Sequence, residues 1–173
     1  MNRLLALIVC VAVVASATLA LAQDAKPSVD EKRSTKLGLY VTAEQAYGIL
    51  KKEKGAVLLD VRTGPQYYYL GHAPNAYMAP ARFWTGKFDK EKNDFLFARN
   101  AKFEEYVTSH WPNKDTTILV MSKDGIVSAV AVNRLAEVGY TKVYNITDGF
   151  DAWQTLGLPV TKKLDPEKVY SRD

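Results

Sequence analysis

One stretch limits what this chain can fold into more than any other. Ile118, Leu119, Val120 and Met121 form an apolar run of the length of a fully buried strand. Ser122, Lys123, Asp124 and Gly125 then break it with turn-forming residues. From Ser128 onward, the spacing of Ala129, Val132 and Leu135 predicts a helix running toward Gly139. A buried strand that turns into a helix N-terminus aims loop amides and the positive end of the helix dipole at one spot. Open α/β folds place their ligands at such strand ends. The side chain heading the loop then decides the chemistry, and here it is Ser122.

The 173 residues suit one domain with a sizeable core. Residues 1–22 stand apart: Arg3 precedes an apolar run from Leu4 to Leu21, and Ala20-Leu21-Ala22 has the small-x-small pattern of a cleavage site. The expectation is a signal peptide cut after Ala22 and a periplasmic or secreted protein. The competing reading is an uncleaved anchor, because the run approaches the ~20 residues a spanning helix needs. The net charge of +4 would drop to +3 with the loss of Arg3, and like charges do not cluster, so nucleic acid is not an expected partner. The single cysteine, Cys10, lies inside the leader. A mature chain would then hold no thiolate nucleophile, disulfide or cysteine metal site.

Residues 23–38 are polar and read as a flexible linker with no drive to pack. A folded domain is expected over 39–160, and 161–173 as a loose polar tail. Within the domain, 39–41 reads as a short strand. Thr42 and Gln45 form a capping box for a helix over 43–52. Residues 56–61 make a second buried strand ending in Asp60-Val61-Arg62. A turn at Thr63-Gly64-Pro65 leads into a short helix bearing Tyr67, Tyr68 and Tyr69. Three successive helical positions point three ways, so at least one tyrosine is expected in the core and one in solvent. A short strand follows at 76–78. Residues 79–100 read as irregular, 101–110 as helix, 142–146 as strand, and Asp148 to Trp153 as the start of a last helix. Strands alternating with helices imply a mostly parallel, five-stranded sheet covered on both faces.

These pieces resemble a single rhodanese-homology domain from about Tyr40 to Pro159. The strand ending Leu58-Leu59-Asp60-Val61-Arg62 is followed by Gly71-His72-Ala73-Pro74-Asn75-Ala76, similar to the family's Gly-His-Ile-Pro-Gly-Ala. The strand, loop and helix at 118–138 come next. Asp148-Gly149-Phe150-Asp151-Ala152-Trp153 is last, similar to Gly-Gly-x-x-x-Trp. The family's loop reads Cys-Arg-Ser-Gly-x-Arg before a serine that opens the helix. Anchored on Gly125 and Ser128, the resemblance puts Ser122 at the cysteine, Lys123 at the first arginine and Val127 at the second basic position.

Active members carry sulfur as a persulfide on that cysteine, and a serine hydroxyl cannot hold it. The resemblance therefore implies a domain without a catalytic residue or cofactor. Its loop, Ser122, Lys123, Asp124, Gly125, Ile126 and Val127, would remain a shallow cradle of amides for an oxyanion, made more apolar at Ile126 and Val127. Asp60, Arg62 and His72 are expected to be structural neighbours of this site, with Asp60 and Arg62 paired and His72 serving its local turn. His72 and His110 are far apart in sequence, and with no mature cysteine they give no metal-ligand spacing. The expected function is binding an exported or membrane partner protein or a small oxyanion. The alternatives are a sulfurtransferase-related or other enzyme using Ser122 or the Tyr-rich helix, and an anchored accessory protein.

Overall fold

Side chains along a strand alternate between faces, so a strand with no polar alternation must be covered on both. In the computed structural model, which describes residues 29–171, this holds for the two central strands. In chain order the elements are β1 (Tyr40–Val41), α1 (Ala43–Lys52), β2 (Val57–Asp60), α2 (Gly64–Leu70), β3 (Tyr77–Met78), β4 (Arg82–Asp89), β5 (Asp94–Arg99), α3 (Phe103–His110), β6 (Ile118–Met121), α4 (Ile126–Glu137), β7 (Val143–Ile146) and α5 (Gly149–Thr155). Five strands form one parallel sheet in the order β1-β7-β6-β2-β3, with every residue of β2 and β6 buried.

Val57, Leu59, Ile118 and Val120 face one layer, where they meet Phe103 and Val107 of α3 and Ala131, Val132 and Leu135 of α4. Leu58, Leu119 and Met121 face the other, against Ala46 of α1, Tyr67 of α2, and Phe150 and Trp153 of α5. The capping box at Thr42 and Gln45 is present, each side chain bonding the other's backbone N–H.

Three expectations need correction. Residues 79–100 are not irregular, since β4 and β5 pair antiparallel as a hairpin outside the main sheet. Trp84, Phe88, Phe95 and Leu96 are exposed on it, so no apolar–polar alternation marks the strands. The 23–38 segment is not wholly a free linker. Asp30 caps a 3-10 turn over Glu31–Arg33, Thr35 is buried, and Lys36 N–H donates to Asn133 Oδ1 on α4 at 2.7 Å. The polar tail also packs. Thr161 bridges His72, Val169 bridges Met78, and Tyr170 N–H donates to Met78 O at 3.1 Å. β3 is an edge strand with unpaired backbone groups, and the tail covers that edge. The 1–22 leader, its cleavage point and the first part of the linker lie outside the described residues. Among those described, no helix is long and apolar enough to cross a membrane.

The hairpin is pinned to the body by Arg134, a buried residue of α4. Its Nε and Nη2 each bond Glu104 of α3 at 2.6 Å. Its Nη1 donates to Ala81 O at 3.1 Å and its Nη2 to Asn100 O at 2.6 Å, at the two feet of the hairpin. The Arg134 hydrogen bonds lower the Glu104 carboxyl from 4.5 to about 2, against the opposing effect of burial. A carboxylate depressed in this way stabilises the fold above its unfolded value and loses that contribution as pH falls through the folded one. Between pH 5 and pH 2 this contact should lose roughly 2–3 kcal/mol of stability. In urea titrations across that range, Glu104→Gln should start less stable and show a flatter acid slope than the native chain. Parallel slopes would rule the assignment out.

Candidate functional site

The loop between β6 and α4 is held from behind by the start of α5. Phe150 N–H donates to Ser122 O at 2.9 Å, and Asp151 N–H to Lys123 O at 3.0 Å. Gly125 turns the chain with φ of 85°, and a Cβ there would lie 2.1 Å from Thr147 O. Gly149 is equally confined, since its Cβ would lie 2.4 Å from Lys123 O. These two close approaches press the loop onto the turn between the end of β7 and the start of α5. The helix starts at Ile126 rather than at Ser128 as expected, with Asp124 Oδ1 accepting the Ile126 N–H at 3.2 Å.

Ser122 is 1% exposed, and its hydroxyl is fully engaged. Gly125 N–H donates to Ser122 Oγ at 3.1 Å. Ser122 Oγ lies 3.0 Å from Ser128 Oγ, which itself donates to Asn145 Oδ1 at 2.6 Å, so the Ser122 proton points to Ser128. Asn145 Nδ2 closes the circuit by donating to Gly125 O and Arg33 O, each at 3.0 Å. No base enters this chain of bonds. His110 lies elsewhere, bonded to Tyr106 O and Ser109. A serine nucleophile needs a base in hydrogen-bond reach, and a Ser-His arrangement is absent at Ser122.

Two of the six loop amides already have partners within the loop: Gly125 with Ser122 Oγ, and Ile126 with Asp124 Oδ1. Lys123 Nζ is 2.6 Å from Asp151, whose carboxylate raises the lysine's pKa. A cavity of about 220 Å³ opens at the loop, lined on its far side by Arg62, Thr63, Gln66 and Arg82.

Asp60 and Arg62 are both buried and form a pair. Arg62 Nε bonds both carboxylate oxygens, at 2.9 and 3.1 Å, and Nη2 bonds Oδ2 at 2.6 Å and Gly71 O at 2.8 Å. The guanidinium also lies 3.6 Å above the Phe150 ring. The pair ties the end of β2 to the turn after α2, and Arg62 alone of the two lines the cavity. His72 is not at the loop. Its Nδ1 donates to Ala73 O at 3.1 Å, its ring stacks on Tyr67 at 3.8 Å, and it lines a separate cleft with Lys163 and Lys168. Tyr67 is buried with its hydroxyl on Ala76 O, and burial pushes its pKa up. Tyr68 and Tyr69 are exposed, so the triplet divides between core and solvent.

Among the described residues no group of three or more His, Cys, Asp or Glu is placed to hold a metal. Sequence reasoning missed Asn145 and Arg82, and it named Ser128 as the helix opener without foreseeing its bonds to Ser122 and Asn145. Asn145 was the detectable one, as a polar residue inside the strand Val143-Tyr144-Asn145-Ile146.

A family model described as the rhodanese-like domain matches residues 42–156. The chain belongs to the rhodanese-like domain family. Solved structures share this fold at low identity. Rv0390 from M. tuberculosis is 21% identical with a TM-score of 0.56, over 71% of this chain and 96% of that one. A polysulfide-sulfur transferase homodimer from Wolinella succinogenes is 21% identical with a TM-score of 0.54, over 71% and 77%. A thiosulfate sulfurtransferase from Pseudomonas aeruginosa is 17% identical with a TM-score of 0.58, over 78% of this chain but only 22% of that one. In this rhodanese-like domain the matched region spans every strand of the main sheet except β1, which just precedes it, and includes the 122–127 loop.

Proposed function

We propose that this rhodanese-like domain is a non-catalytic binding module, exported to the periplasm or secreted, which holds a partner protein or a small oxyanion at the mouth of the 122–127 loop. The observation that carries the reading is Ser122. It stands at the position the family gives to its sulfur-carrying cysteine, and its hydroxyl is consumed by Gly125 and Ser128. The same electrostatic push that makes a thiolate from a thiol leaves a hydroxyl protonated, since a cysteine starts near pKa ~8.5 and serine far higher. The only cysteine, Cys10, lies in the apolar leader and leaves with it if cleavage follows Ala22. The low-identity likeness to sulfurtransferases supports the fold and does not supply a sulfur carrier.

The test is thiosulfate:cyanide sulfurtransferase turnover on the purified mature protein. The expected result is none above the uncatalysed rate, and mass spectrometry finds no added sulfur. Ser122→Cys should gain a sulfur adduct on incubation with thiosulfate, its thiolate attacking the outer sulfur while the S–S bond breaks and sulfite leaves, because loop amides and a helix N-terminus favour a thiolate at that position. Turnover by the native chain that Ser122→Ala abolishes would overturn the reading. For export, N-terminal sequencing of the secreted form should begin at Gln23, and an intact Met1 in a membrane fraction would favour the anchored alternative.

A further inference from the structure

The cavity at the loop does not end at Val127. A second, larger cavity of about 580 Å³ lies between α4 and the β4–β5 hairpin, and Arg82, Ile126 and Val127 line both. Its floor is Ile126, Val127 and Val130 on α4, and its opposite wall includes Ala81 and Phe97. Val130 is 55% exposed despite being apolar. From Ile126 to Asn133 the floor runs for about 10 Å at the helical rise per residue.

The charges around this groove are mostly answered from within the chain. Arg99 and Arg134 both bind Glu104, and Glu137 binds Lys36. In the smaller cavity Arg62 binds Asp60 and Lys123 binds Asp151. Asp124 is an acidic wall there, with Oδ1 turned onto the Ile126 amide. Among the described residues lining the two cavities, Arg82 is the cation left over. It has no carboxylate partner, and its guanidinium rests 4.0 Å over the Phe97 ring, which holds it at the junction of the two cavities. Beside it, Arg62 is 3% exposed and its Nη1 has no partner. An unanswered cation at one end of an apolar trough calls for an anionic head on an apolar body. Asp124 keeps the head on the Arg82 side of the loop rather than deep in the amide cradle.

We propose that the groove binds a free single-chain organic anion, a carboxylate or sulfonate whose head meets Arg82 and whose chain lies over Ile126, Val127, Val130 and Phe97. This rests on the reading of the loop as a binding site and gives that site its ligand class.

The test is calorimetric titration of the purified protein with octanoate, with octan-1-ol as the uncharged chain of equal length and acetate and sulfate as heads without a chain. Octanoate should bind saturably at one site. Octan-1-ol should bind at least about tenfold more weakly, in line with the loss of a charge-assisted hydrogen bond, and acetate and sulfate should not saturate over the same range. Arg82→Gln and Val130→Asp alter exposed side chains, and each should weaken octanoate about tenfold while leaving the thermal midpoint and near-UV spectrum unchanged. Absence of saturable octanoate binding overturns the proposal, as does binding that neither substitution changes. If sulfate binds and octanoate does not, the ligand class fails while the non-catalytic reading stands. Sulfurtransferase turnover dependent on Ser122 would remove that reading instead.

Discussion

Gly125→Ala should cost about 4 kcal/mol or more of stability, at the upper end of what single substitutions do, and most of the chain should be recovered as aggregate. Two penalties combine. The left-handed φ of 85° costs an L-residue about 1–2 kcal/mol by itself. The added Cβ would then sit 2.1 Å from Thr147 O and 2.6 Å from Thr147 C, which are backbone atoms. They have little freedom to retreat, because Thr147 N–H is bonded to Val41 O at 3.0 Å at the sheet edge. Gly149→Ala should behave similarly, since its Cβ would meet Lys123 O at 2.4 Å. Gly48 is the internal control. It lies inside α1 with open space around it, so Gly48→Ala should raise stability by about 1 kcal/mol. Urea unfolding of the three variants reads all of this, and a Gly125→Ala protein within ~1 kcal/mol of the native chain would contradict the close approach.

Asp60→Ala should cost roughly 3–5 kcal/mol, because it strands a buried guanidinium. Both partners are nearly inaccessible, at 0% and 3% exposure. The substitution removes every acceptor of Arg62 except Gly71 O. The backbone N–H of Arg62 loses Asp60 Oδ1 as well, a bond of 3.1 Å. The double change Asp60→Leu with Arg62→Met should recover much of the loss, since two apolar side chains leave no unmatched charge. Chemical denaturation of Asp60→Leu, Arg62→Met and the double closes the cycle. Additive losses would show that the two residues act independently, against the bonding described above.

The central architecture was legible because its signals were redundant. The runs at 57–60 and 118–121 have no polar alternation, and a strand buried on both faces is the one use a parallel sheet makes of such a run. The helix after the loop was legible from its period, though its first turn was not. Ile126 and Val127 looked like loop because the cap came from Asp124, a residue inside the turn, while Gly125 at the N-cap position has no side chain to offer.

The hairpin was illegible for the opposite reason. β4 and β5 expose aromatics at several positions, so no period of two survives in the hydropathy, and the sheet they form buries little of its own surface. That error hid Arg82, whose place at the rim of the loop depends on the hairpin folding back toward α4. The packed parts of the leading and trailing segments were hidden because their attachments are scattered polar bonds, such as the two backbone bonds between Thr161 and His72 and those of Lys36 to Asn133 and Glu137, rather than a periodic apolar face.

Arg33 has a consequence for how the domain carries its attachment to anything upstream. Its carbonyl receives Asn145 Nδ2 at 3.0 Å and its Nε donates to Asp124 O at 2.7 Å, so the leading arm is stitched to the back and the rim of one loop. Tension on the chain ahead of Val29 would reach Asp124 and the Asn145 amide through that seam before loading any strand of the sheet. The leading arm and the site are mechanically one part, and anything fastened through that arm would hold the loop by the same few bonds that shape it.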